Sequence, residues 1–115
     1  MSASSTAAAG SQANPIATLD PGVEYETVAA SQTAQVLGST GAVGDLLTGL
    51  LVVPATTSPG AISILDGATS ITVFAGGTLT SVIPFAIPLG VKSVSGPWKV
   101  TTGANVSVIG VGDFT

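Results

Sequence analysis

A chain of 115 residues with no cysteine, no histidine and no arginine, and with two lysines against six carboxylates, has the length of one domain and a narrow chemical repertoire. Disulfide scaffolds, Cys/His zinc sites, histidine-based nucleophile systems and arginine phosphate clamps are excluded. The net charge of −4 leaves no basic patch for nucleic acid, so no nucleic-acid partner is expected.

Charged residues make up 7% of the chain against about 25% in ordinary globular domains, while 45% are hydrophobic. A free monomer would have to solvate itself with Ser, Thr and Gly. The alternative is a surface covered by other subunits.

In chain order, residues 1–12 are almost entirely Ser, Ala, Thr and Gly and read as an arm that lacks the apolar content to fold alone. They carry neither the basic start nor the apolar core of a signal peptide, so synthesis in the cytoplasm is expected. Asn14-Pro15 and Asp20-Pro21-Gly22 are turn signals that close a 1–22 arm ahead of a 23–115 domain.

Residues 23–30 alternate, setting Glu24 and Glu26 opposite Tyr25 and Thr27, which predicts an exposed or edge strand with its acids toward water. Residues 31–44 are small and polar. Their glycines at 38, 41 and 44 lack the order and the lysine of a phosphate-binding loop and read as a plain loop.

Further strands are predicted at 46–53, 61–65, 70–74, 79–83 and 85–89, with a hairpin centred on Asp66-Gly67. The apolar run 46–55 is interrupted by Gly49 and Pro54 and is short of the roughly 18–20 residues of a spanning helix, so no membrane partner is expected. Pro84 and Pro88 demote their segment to an edge strand.

The stretch 88–110 holds the only tryptophan and both lysines. It reads as a short segment near 91–94, a turn at Ser95-Gly96-Pro97, a strand 98–102, a turn at Gly103-Ala104-Asn105 and a strand 106–109. The last two are expected to form a hairpin, with Trp98 and Val100 meeting Val106 and Val108 on one buried face. Lys92 and Lys99 flank the Gly96-Pro97-Trp98 turn and could lie near each other; they read first as solubilising lysines on an exposed face, with ion pairing to an acidic patch on a partner as the alternative. A last short strand is expected to end in Phe114.

Seven or eight short strands without helical periodicity predict an all-β, single-domain β-sandwich, with jelly-roll connections as one form, preceded by an extended N-terminal arm. The six carboxylates offer no paired acid and base with the aromatic platforms of a glycosidase, so the chain is read as no enzyme. Neither a catalytic residue nor a cofactor is expected. Asp66 and Asp20 are where a calcium ion would be sought, although single aspartates at turns ordinarily form the turn.

Three phrases, Gly41-Ala-Val-Gly-Asp-Leu-Leu, Ile83-Pro-Phe-Ala-Ile-Pro-Leu-Gly-Val-Lys92 and Gly96-Pro-Trp-Lys-Val-Thr-Thr-Gly-Ala-Asn-Val-Ser-Val-Ile, together resemble the small capsid decoration, or cement, proteins of tailed bacteriophages and related virion components. The resemblance covers about the last two thirds of the chain. It implies a compact β domain on the capsid exterior, a homotrimer that bridges major capsid protein subunits and stabilises the shell. Lys92, Lys99, Glu24, Tyr25 and Glu26 are the candidate partner contacts. The alternative is a receptor- or glycan-binding head module of a phage fibre or tail.

Overall fold

Gly67 and Ala68 turn the chain through a two-residue loop, as a Gly at φ +61 allows, and bring Ile62–Asp66 (β4) against Thr69–Phe74 (β5) with Asp66 opposite Thr69. The computed structural model describes residues 23–115. The predicted arm and the turns at Asn14-Pro15 and Asp20-Pro21-Gly22 lie outside the described residues. The other strands are Glu24–Val28 (β1), Gln35–Val36 (β2), Leu46–Pro54 (β3), Phe85–Lys92 (β6), Trp98–Thr102 (β7) and Val106–Asp113 (β8).

They form two four-stranded antiparallel sheets, β1-β8-β3-β6 and β2-β7-β4-β5. Neighbours pair as 1 with 8, 2 with 7, 3 with 6 and 4 with 5. This is the order of one long antiparallel pair, closed at the β4–β5 turn and rolled into a sandwich, which makes the fold a jelly roll. Every connection except β4–β5 therefore crosses from one sheet to the other.

Alternation places the core. In β4, β7 and β8 every second residue is buried, so Ile62, Ile64, Trp98, Val100, Val106 and Val108 face one another between the sheets, joined by Val28, Leu37, Leu47, Leu50, Val52 and Phe114. A bulge between Leu47 and Gly49 keeps Leu47 and Leu50 both on the buried side of β3 despite their odd spacing. Phe74 and Phe85 meet edge to face, ring centres 5.3 Å apart, and close the β5/β6 side.

Three expectations are corrected. The strands 98–102 and 106–109 are not a hairpin: β7 pairs with β2 and β4, whereas β8 pairs with β1 and β3. Their connection is an arch, because its backbone is bonded into the neighbouring 55–61 loop through Gly103 N to Ala61 O, Gly60 N to Ala104 O and Ala55 N to Asn105 O at 2.8–2.9 Å. Gly60 and Gly103 approach so closely that a Cβ on Gly103 would stand 2.7 Å from the Gly60 Cα. Trp98 and Val106 therefore share the core from opposite sheets.

Residues 79–83 form no strand. Gly76 and Gly77 at φ +79 and +114 break the extension, and the segment is tied instead by Gly77 N to Pro59 O and Leu79 N to Thr57 O. The segments expected at 91–94 and after Gly110 are the ends of β6 and β8, not separate strands. Placement at sheet edges does match the sequence reading for both β1 and the proline-containing β6.

Trp98 is 3% exposed, and its indole Nε1 donates to the Asp45 carbonyl at 2.9 Å, so the ring anchors sheet β2-β7-β4-β5 to the start of β3 in the opposite sheet. Replacing Trp98 with Ala is expected to cost about 3–5 kcal/mol in urea unfolding. Trp98→Phe, which keeps most of the apolar ring and loses the donor, should cost clearly less. Equal losses would contradict this division between packing and the hydrogen bond.

Candidate interaction surface

The acids divide between scaffold and surface. Asp66 is 8% exposed, and its oxygens accept three successive amides of the β6–β7 crossing: Val94 at 3.0 Å, Ser95 at 2.9 Å and Gly96 at 3.3 Å. Such a surrounding of donors suits an anion and opposes a cation, which removes Asp66 as a calcium ligand in this arrangement. The Ser95 and Val94 amides, helped by Gly96, outweigh partial burial and hold the Asp66 carboxyl below the ordinary aspartate value.

Asp45 is the second hub. Its carboxylate accepts the Thr115 hydroxyl at 2.6 Å, the Thr115 amide at 3.0 Å and the Ala42 amide at 3.1 Å, while its carbonyl accepts Trp98 Nε1 and Ser93 N. Burial alone would raise this carboxyl. The bonds from Thr115 and Ala42 together outweigh it, so the net shift is downward.

The glycine loop spends its amides within the chain. Gly38 N reaches Glu26 Oε1 at 2.8 Å, Thr40 N and Gly41 N reach the Thr115 carbonyl oxygen, and Gly44 N reaches Ser93. Gly38, at φ +94, is constrained: a Cβ there would lie 2.5 Å from the Thr115 oxygen. The loop reading stands against a phosphate site.

The candidate contact residues are dispersed. Glu24 and Tyr25 are exposed on edge strand β1, Lys92 lies at the end of the opposite edge strand β6, and Lys99 sits half-buried on β7 in the other sheet. Lys92 and Lys99 therefore belong to different layers instead of one turn. Glu26 corrects the expectation of a solvated acid. It lies on the same side of β1 as fully buried Val28, and its carboxylate binds Gly38 N and Gln35 Nε2, while Tyr25 on the other side is 73% exposed.

What the sequence reading missed is the outer face of sheet β1-β8-β3-β6. Register places Tyr25 beside Val111 and Gly49 beside Val111 and Pro88, then Thr27, Ile109, Leu51 and Ala86 in the next row, and Ser107 beside Val53 in the one after. No charged residue interrupts these rows. An open apolar depression of about 240 Å³ lies among Thr48, Leu51, Ala86, Pro88 and Val111.

A one-sided antiparallel sheet normally alternates apolar in and polar out. Here β3 is nearly apolar throughout, the pattern of a strand covered on both faces, and only one face is covered within the described residues. That run in residues 46–53, broken only by Thr48 and Gly49, was the available signal.

No known protein family, curated protein or solved structure matches the chain.

Both hubs make stability acid-sensitive. Unfolded aspartates titrate near 3.9, and the folded values of Asp45 and Asp66 lie lower, so below that point the unfolded chain binds more protons. Their stabilisation is complete above about pH 4 and is lost as pH falls through the lowered folded values. Thermal melts from pH 7 to pH 2 should show a falling Tm below about pH 4 in the wild type. Asp66→Asn should start lower at pH 7 and lose less on acidification; an acid limb as steep as the wild type's would refute the role given to this carboxylate.

Proposed function

We propose that the chain is a non-enzymatic virion structural protein that decorates the capsid exterior of a tailed phage and stabilises the shell by bridging major capsid protein subunits. The observation that carries the reading is the uncharged apolar outer face of sheet β1-β8-β3-β6, a surface suited to being covered by protein. The resemblance of residues 41–47, 83–92 and 96–109 to decoration proteins supplies the kind of partner. The jelly roll is shared by viral capsid and lectin domains, so it supports a virion setting by analogy alone.

Area bears on how such a contact would work. Four strands spaced about 4.8 Å apart and about six residues long at 3.3 Å each present on the order of 400 Å². That is about half of one partner's share in a standard stable interface. A single copy docked by this face would bind weakly, whereas a homotrimer engaging a repeating lattice would multiply the contacts through effective concentration. Binding only the assembled shell then stabilises it by mass action.

The alternative, a glycan-binding head module, lacks an aromatic platform among the described residues. Trp98 is spent on the core, and Tyr25 is the single exposed aromatic with a polar tip.

The test is light-scattering mass and co-sedimentation with purified empty heads of the encoding phage. A trimer that sediments with heads is expected, with binding about 10- to 30-fold weaker for Leu51→Lys and Ile109→Lys, whose melting should stay near wild type because both side chains point outward. A monomer that ignores heads would overturn the proposal.

A further inference from the structure

Each sheet has two edges, and three of the four are guarded. β1 carries Glu24 and Glu26, β6 carries Pro88 and Lys92, and β2 is two residues long. These are the usual devices against pairing with another chain. The fourth edge, β5, reads Thr-Ser-Ile-Thr-Val-Phe, with neither a charge nor a proline, and Thr69 to Thr72 are all exposed.

The turn dictates which backbone groups are free. A two-residue hairpin loop is closed by a hydrogen-bonded pair, here Asp66 with Thr69, and antiparallel pairs alternate, so Ile64 with Ile71 is bonded while Leu65 with Ser70 and Ser63 with Thr72 are not. The Ser63 and Thr72 hydroxyls, 3.3 Å apart, fit the closer spacing of a non-bonded pair. The N–H and C=O groups of Ser70 and Thr72 therefore point away from β4, toward open solvent.

We propose that β5 is a self-association edge: it pairs antiparallel with β5 of a second copy across a two-fold axis, joining the two β2-β7-β4-β5 sheets into one of eight strands. The favoured register sets Ser70 opposite Thr72 of the second copy, which satisfies the free groups of both residues in two bonded pairs. It also sets Ile71, 45% exposed, against its own mate in the intervening non-bonded pair, where side chains approach closest.

A second copy is the occupant because the contact is self-complementary. The two-fold matches hydroxyl with hydroxyl on one face and isoleucine with isoleucine on the other, and in a chain of net charge −4 it brings no like charges together along the strand. This contact is distinct from the apolar outer face of the other sheet, so it stands or falls apart from capsid binding.

A chain without cysteine makes the test direct. In the non-bonded pair the two Cα atoms at position 71 lie about 4.5 Å apart, within disulfide reach, whereas position 70 meets its own mate only diagonally at about 7–8 Å. Under mild oxidation of the full chain, Ile71→Cys is expected to give a covalent dimer in about tenfold higher yield than Ser70→Cys. Ile71→Lys, which sets two cations face to face, should remove from the sedimentation mass the two-fold association of homotrimers and leave the trimer, its melting temperature and its head binding in place. Equal cross-linking at both positions, no dimer from Ile71→Cys, or an unchanged mass for Ile71→Lys would overturn the proposal.

Discussion

The Asp66 carboxylate holds the roll together. It stands at the one tight turn that stays within a sheet, and it grips the amides of residues 94–96, where the chain returns from β6 to β7. Apart from that grip the crossing is held to this turn by one longer bond, Gly67 N to Pro97 O at 3.3 Å, before the β4–β7 ladder begins at Asp66 and Trp98. Gly67 and Gly96 make the approach possible: a Cβ on Gly96 would stand 2.7 Å from the Gly67 Cα. One buried charge, neutralised by three amide dipoles, therefore links the tip of the rolled hairpin to its far strands. Asp45 repeats the device where β3 begins, tying Thr115, Ala42 and the Trp98 indole to one residue.

Among the described residues Asp45, Asp66 and Glu26 are bound to amides of the scaffold, and the outer face of sheet β1-β8-β3-β6 is left for contact. The core takes one side of β3 and β8, and the other side of both strands is nearly as apolar. The low charge of the sequence therefore has a location in the fold: the described charges sit at strand ends and edges or, for Lys99, in the other sheet, away from the middle of the outer face. A sheet that is apolar on both sides costs solubility in a free monomer and gains area in an assembly. Decoration of a regular shell, the proposed role, would make use of that exchange.

The sequence revealed what alternation controls. Burial of Trp98, Val100, Val106 and Val108, the β4–β5 hairpin, and the edge positions of β1 and β6 all follow from a period of two, turn chemistry and proline. It did not reveal pairing. An arch and a hairpin bury the same residues of strands 98–102 and 106–109, so periodicity is blind to the difference between them. What decides it is the bonding of the 103–105 turn to a loop some fifty residues earlier. Glu26 escaped for a similar reason: its inward side is defined by Gln35 and Gly38, two polar groups that a hydropathy pattern does not flag. The outer face was legible in residues 46–53, whose apolar content, broken only by Thr48 and Gly49, exceeds what a strand buried on one side requires.

The most direct test of the central claim, that the outer face of β1-β8-β3-β6 is the covered surface, is an electron cryomicroscopy map of phage heads incubated with the protein. The account predicts the jelly roll seated with Leu51, Val53, Ile109 and Val111 against protein density. A bound domain with those four side chains turned to solvent, or heads left bare at saturating protein, would contradict it.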